Sequence, residues 1–145
     1  MKVYVASRFK NYEEVRKVID KVEAAGHTIT FDWTRTSEFD PDTGELLVQD
    51  PESELTDEEK LDFAISDTWG AEQCDVLILV WTPDMAGAFV EMGMAMANGN
   101  PILVIGPIER WTIFYAHPLV TVCEDLDDAM GALYILNQHT DASGS

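Results

Sequence analysis

Residues 87–101, "GAFVEMGMAMANGNP", set a single acid into an apolar run. Glu91 stands between Val90 and Met92, with Met94 and Met96 beyond, and Gly87, Gly93 and Gly99 punctuate the stretch. The spacing predicts a helix over 87–98, stopped by Gly99, with Glu91 in about its first turn. That end of a helix favours an anion. The carboxylate is therefore expected to stay ionised and to point at the crevice where the preceding strand ends. Apolar and methionine side chains around it would keep water away. Those are the conditions an attacking carboxylate needs. A surface or capping acid that simply favours a helix start would carry the same sequence, and residue types alone leave both readings open.

The elements around this helix can be read from hydrophobic period and punctuation. "KVYVA" (2–6) reads as a buried strand, and 11–25 as a helix with Val15, Val18, Ile19 and Val22 on one face. Asn11 is its expected N-cap and Gly26 its stop. "HTITFDW" (27–33) reads as a second strand. Residues 34–55 hold Pro41, Gly44, Pro51 and many acids without a period, which predicts a long acidic loop with a hairpin around "DPDTGELLV". Thr56 and Glu59 open the next helix as a capping box. "CDVLILVW" (74–81) is apolar throughout, as a parallel strand covered on both faces must be. "PILVIG" (101–106) and "LVTVC" (119–123) follow as strands, with a loop over 107–118 between them. A helix over 125–138 closes the order, and "HTDASGS" (139–145) is expected to be a flexible tail.

This alternation predicts a single α/β domain over 1–138. Its fold class is flavodoxin-like (Rossmann-like), a doubly wound, five-stranded parallel sheet with helices on both faces. Ligands of such sheets bind at the carboxyl ends of the strands, near the topological switch point. Here those ends are 6–8, 33–34, 81–87 and 106–107. Neither a G-x-G-x-x-G nor a P-loop pattern is present, so the crevice must work by other means.

Composition narrows the function classes. The net charge of −18 disfavours nucleic-acid backbone and anionic membrane surfaces as partners. No apolar run reaches the roughly 18 residues of a membrane span. "MKVYVASRF" leads straight into strand-like sequence, so no signal peptide is expected and the protein is expected to be cytoplasmic. Cys74 and Cys123 are expected to be buried thiols. His27, His117 and His139 are scattered, so neither a metal nor an organic cofactor is implied.

Three segments together, "VYVASRF", "AISDTWGAEQCDVLILV" and "GAFVEMGMAMANGNPILVIGP", resemble the nucleoside 2-deoxyribosyltransferase family and its 2′-deoxynucleoside 5′-phosphate N-hydrolase relatives. The resemblance spans residues 2–107 apart from the acidic loop. It implies that Glu91 is the nucleophile, that Tyr4 holds its carboxylate, and that Asp67 meets the base and protonates its leaving nitrogen. Without the resemblance, Tyr4 reads as an ordinary strand aromatic and Asp67 as a solvated helix acid. The family's sugar-binding aspartate falls on Met85 here, one residue from Asp84. Ser7, Arg8 and Lys10 occupy the loop where relatives that hydrolyse nucleotides hold a 5′-phosphate. Arg8 would equally pair with Asp67 or Asp84. Phe9, Trp33 and Trp81 offer faces on which a base can stack, and Gly87 frames the site.

The chemistry implied is cleavage of an N-glycosidic bond through an oxocarbenium-like state, with Glu91 collapsing onto C1′ and a second base or water releasing the sugar. The partners implied are a nucleoside or nucleotide, a free base, and further copies of the chain as a homo-oligomer. A transferase is the first reading, a 5′-monophosphate N-hydrolase the second, and a non-catalytic nucleotide-binding module the third. The 107–118 loop lacks the asparagine that family members send into a neighbouring subunit. Gln49 is the one glutamine in the second-strand loop available to read a base.

Overall fold

The computed structural model describes residues 1–35, 42–43 and 55–143. The expected hairpin around "DPDTGELLV" and Gln49 lie outside the described residues. Five parallel strands form one sheet in the order β2-β1-β3-β4-β5: β1 Lys2–Ala6, β2 Thr28–Ile29, β3 Val76–Val80, β4 Ile102–Ile105 and β5 Val120–Cys123. Among the described residues four helices flank them: α1 Tyr12–Ala24, α2 Asp57–Gln73, α3 Ala86–Ala97 and α4 Leu126–Ser143. This is the doubly wound, flavodoxin-like sheet that the alternation predicts. The order reverses between β1 and β3, so the switch-point crevice opens over their carboxyl ends.

β3 is buried at every residue, as a central strand covered on both faces must be. It pairs with β1 from Val3 opposite Val76 to Ala6 opposite Leu79. On the far side it pairs with β4 from Leu77 opposite Ile102 to Val80 opposite Ile105. α1 buries Val15, Val18, Ile19 and Val22, the face its period predicts. Thr56 caps α2 by accepting from Glu59 N at 3.1 Å, and Glu59 Oε1 accepts from Thr56 N at 3.3 Å, closing the capping box. α3 stops where Gly99 takes φ 74°, a left-handed conformation that glycine adopts without a Cβ clash. Both cysteines are buried free thiols.

Three expectations differ. The second strand runs for two residues rather than seven. Asp32 turns the chain away from the sheet edge by accepting from Thr34 N at 3.0 Å and binding Arg35 Nε at 2.8 Å. Asn11 occupies the N-cap position of α1 without a capping bond, because its side chain donates instead to Ser7 Oγ at 3.1 Å. The last helix continues through Ser143, past the expected end at 138.

No helix among the described residues is long and apolar enough to cross a membrane. α2 leaves Leu61, Ile65 and Trp69 exposed at a spacing of four, an apolar stripe along one line of the helix.

Candidate active site

A cleft of about 740 Å³ opens over the carboxyl ends of β1 and β3. Its walls come from four places: the loop after β1, the turn after β2, one face of α2, and the start of α3. Glu91, Asp67, Ser7, Arg8, Phe9, Trp33, Asp84 and Gly87 all line this cleft; Tyr4 is buried in β1 and does not line it, nor does Trp81.

Glu91 is the sixth residue of α3, in the second turn rather than the first. Helix-end stabilisation has faded at that depth. α3 turns Ala88, Glu91, Met92 and Ala95 toward the protein. The side chain is 9% exposed, and its Oε2 is buried without a hydrogen-bond partner. Burial, with the nearby Asp67 adding to it, raises the carboxyl to about 8, while the Tyr4 hydroxyl acts to lower it. This corrects the expectation that Glu91 is kept ionised. Desolvation outweighs what the helix offers and favours the protonated carboxyl at neutral pH.

Tyr4 is fully buried in β1, and its Oη is likewise buried without a partner. The phenol is held far above its ordinary range, first by burial and then by the negative charge of Glu91 and Asp67. Asp67 reaches the same spot from α2. Its Oδ1 is buried without a partner, and desolvation raises the carboxyl to about 6 against the lowering effect of Tyr4. The three groups lie close enough to govern one another's ionisation, with Tyr4 acting on both carboxyls as a hydrogen-bonding neighbour, although none of the three buried oxygens has a partner at full hydrogen-bond distance and angle.

Gly70 makes this convergence geometrically possible. A Cβ at Gly70 would lie 2.7 Å from two carbons of the Tyr4 ring and 2.9 Å from Cβ of Phe31. The helix therefore rests directly on the phenol ring at that point. Asp67, three residues earlier on the same face, is carried to the hydroxyl end.

The mouth of the cleft is polar. Arg8 Nη1 stands 3.8 Å from Asp84 Oδ2, a loose and largely exposed pair. Asp84 adopts φ 62°, an unusual conformation for a residue with a side chain, at the turn that feeds α3. Met85, the residue aligned with the family's sugar-binding aspartate, is buried at the N-cap of α3. Gly87 leaves open space, since a Cβ there would meet nothing within 4 Å.

Arg8, Lys10 and Lys60 all line the cleft, three of the chain's nine lysines and arginines. Against Asp67, Asp84 and Glu91 on the same lining, these cations bring the cleft close to charge balance in a strongly acidic protein, which makes it less repulsive to an anionic group than the acidic surface around it. Ser7 is less free than its position suggests. Its hydroxyl donates to Val80 O at 2.8 Å, tying the end of β1 to the end of β3. Trp33 is buried, donates from Nε1 to Val5 O at 2.8 Å, and faces Phe9 with ring centroids 5.7 Å apart. The two rings form one aromatic wall. Trp81 packs partly against the core and does not line the cleft.

Leu55, Lys60 and Phe63 also line the cleft, although the motifs of the sequence did not single them out. The signal was present in the spacing. Lys60, Phe63, Asp67 and Gly70 follow one another at three- and four-residue steps, the mark of a single helix face. Among the described residues, no group of three or more histidine, cysteine or acidic side chains could hold a metal ion.

Solved structures share this architecture. One is a 2-deoxyribosyltransferase from the psychrotolerant bacterium Bacillus psychrosaccharolyticus, 17% identical over 89% of this chain and 90% of that one, with a TM-score of 0.62. The chain has the fold of that enzyme. A second is the CMP N-glycosidase BcmB of Clostridium botulinum, 16% identical over 93% of this chain and 99% of that one, with a TM-score of 0.55. At these identities the fold is what is shared. No protein-family model and no curated protein sequence matches the chain.

Proposed function

We propose that the protein is a nucleoside 2-deoxyribosyltransferase-like enzyme that cleaves the N-glycosidic bond of a 2′-deoxynucleoside through Glu91 and passes the deoxyribose to an acceptor base. The observation that carries this reading is the Glu91 carboxyl itself. It is buried in α3, it lines the cleft, its Oε2 is buried with no partner, and it is accompanied by Tyr4 and Asp67. A purely structural acid would be paired or solvated. The two neighbours, which act as a deoxyribosyltransferase and a nucleotide N-glycosidase on this fold, support the same class of reaction.

Glu91, once ionised, attacks C1′ from below. The C1′–N bond breaks toward an oxocarbenium-like state, and the sugar collapses onto the carboxylate as a glycosyl ester. A 2-deoxy sugar eases this step, because no electron-withdrawing 2′-hydroxyl opposes the cation. Asp67, raised to about 6 by burial, supplies the proton to the departing base. Trp33 and Phe9 give the base an aromatic wall. The incoming base then reverses these steps on the ester.

A second reading keeps Glu91, Tyr4 and Asp67 and changes substrate and acceptor: hydrolysis of a 2′-deoxynucleoside 5′-monophosphate. The three cations of the cleft and the CMP N-glycosidase neighbour favour it. Arg8 would exchange its loose contact with Asp84 for the phosphate. A cytoplasmic homo-oligomer belongs to the same proposal, supported by the exposed Leu61, Ile65 and Trp69 stripe. Sedimentation of wild type and Trp69→Glu tests the assembly.

Chromatography of reactions with each 2′-deoxynucleoside, with and without a second base, and again with the 5′-monophosphates, decides between the readings. A new deoxynucleoside formed only with acceptor, and lost in Glu91→Ala, is the expected result. Base released only from monophosphates makes it the hydrolase. Ligand binding that survives Glu91→Ala, with no base released by wild type, makes it a binding module.

A further inference from the structure

We infer that Tyr4 is a proton conduit between Glu91 and Asp67, so that the two carboxyls share one proton and exchange it when substrate fills the cleft. The inference rests on the roles just proposed for Glu91 and Asp67, and it adds how each acquires the protonation its role requires.

Three oxygens carry the argument. Tyr4 Oη comes from β1, Asp67 Oδ1 from α2 and Glu91 Oε2 from α3, and each is buried without a hydrogen-bond partner. One such orphan is destabilising, and most folds avoid it. Three orphans meeting at one place, on three different elements, call for a purpose beyond packing. A hydroxyl both accepts and donates, whereas an ionised carboxylate only accepts. Tyr4 is therefore the group of the three able to take a proton from one side and release one to the other. It is also held in place, since Gly70 lets α2 rest on the ring with no room for a Cβ.

The resting arrangement is the wrong one for the proposed reaction. Burial leaves the proton on Glu91, which must attack, in preference to Asp67, which must donate. When substrate fills the cleft and the three oxygens close to hydrogen-bond distance, the conduit reverses this without help from solvent. The O–H bond of Glu91 breaks and its proton moves to Tyr4 Oη, while the O–H bond of Tyr4 breaks and that proton moves to Asp67 Oδ1. Glu91 is left as carboxylate, Asp67 as acid and Tyr4 as it began, with no change in net charge. The two transfers are concerted, because burial and two neighbouring acids make a free phenolate costly. Asp67 then gives this proton to the leaving nitrogen as Glu91 bonds to C1′ and the C1′–N electron pair departs with the base.

Other charged groups face the cleft: Arg8 and Lys10 from the loop after β1, Lys60 from α2, and Asp84 from the turn before α3. Cys74, at the end of α2, adds a small upward push on the phenol, and its thiol is itself pushed up to about 11 by burial. The cations have no lone pair with which to accept the proton. Asp84 is exposed at the rim beside Arg8.

Two measurements test the conduit. The first is carbon-13 NMR titration of the side-chain carboxyls in the ligand-free protein, assigned with Asp67→Asn and Glu91→Gln. Two coupled steps are expected, each sensed by both carbons, with Glu91 holding the larger share of the proton between them. If each carbon senses one step alone, Asp67 the lower and Glu91 the higher, sharing is overturned, whether or not the protein turns over any substrate. The second is single-turnover base release in mixtures of light and heavy water. Wild type is expected to give a curved dependence on deuterium content, the sign of two protons in flight. Tyr4→Phe is expected to keep its KM, to release base roughly 10²-fold more slowly, and to give a straight dependence. Unchanged rate and curvature in Tyr4→Phe overturn the conduit. Shared titration without base release from any substrate removes the deoxyribosyl reading and leaves the shared proton standing. Should Tyr4→Phe fail to fold, the wild-type titration alone decides.

Discussion

Gly70→Ala is the substitution in which packing and chemistry are most tightly joined. Alanine is ordinarily the better residue inside a helix, by about 1 kcal/mol. At Gly70 the new methyl would stand 2.7 Å from the Tyr4 ring, against the 3.4 Å at which ordinary contact begins. Neither side yields easily. The ring is fully buried in the sheet, and Phe31 blocks the other direction at 2.9 Å. Overpacking of this kind costs about 1–3 kcal/mol, which outweighs the helix gain. The net expectation is a loss of up to about 2 kcal/mol, at about 2–4 °C of Tm for each kcal/mol in a chain of this size. The activity effect is larger. Parting α2 from the phenol moves Asp67 off Tyr4, and a misplacement of about 1 Å can cost 10²-fold in rate. Gly131→Ala is the control, because a Cβ there meets nothing within 4 Å in α4. Calorimetry should show Gly131→Ala gaining stability and Gly70→Ala losing it, with base release reduced in Gly70→Ala alone. Equal gains in Tm with equal activity would refute the claim that α2 rests on Tyr4.

The ionisation of Glu91 makes a further stability prediction. Its folded value is raised from 4.5 to about 8, so its contribution is fully present below about 4.5 and is lost as pH rises to about 8. The Tm of Glu91→Gln should therefore rise relative to wild type across that interval, and a constant difference would contradict the raised value. The rate of base release should be bell-shaped in pH, with limbs near 6 and 8, because the reaction needs one proton on the Asp67–Glu91 pair. Arg8→Ala should leave the unfolding free energy within about 0.5 kcal/mol of wild type, since its pair with Asp84 is exposed. It should raise KM for a 5′-monophosphate, if one is the substrate, far more than for the nucleoside. Trp33→Phe removes the donor to the buried Val5 carbonyl and should cost about 1–3 kcal/mol in chemical denaturation, with weaker binding of the base.

Much of this protein is legible in its sequence, for a local reason. Strand β3 declares itself because a strand covered on both faces must be apolar at every position, and "VLILV" is. α1, the capping box of α2 and the stop at Gly99 follow from period and end chemistry confined to a few neighbouring residues. The alternation of these elements is enough to fix the sheet class and the end of the sheet at which the cleft opens. Glu91 stands out because an acid in an apolar helix conflicts with its surroundings.

The tertiary structure decided what depends on distance through space. Asp32 bent the chain and cut the second strand to two residues, a choice between turn and sheet edge that period cannot make. Burial reversed the expected protonation of Glu91, because desolvation by the sheet and α2 is invisible from the helix's own residues. Lys60 and Phe63 joined the cleft because the face of α2 that carries Asp67 turns toward it. Gly70 looks like a helix weakness in sequence and becomes, once α2 lies on β1, the gap that admits the Tyr4 ring. Local pattern names the elements. Only their packing sets which buried oxygens of β1, α2 and α3 come together, and therefore where a proton can move.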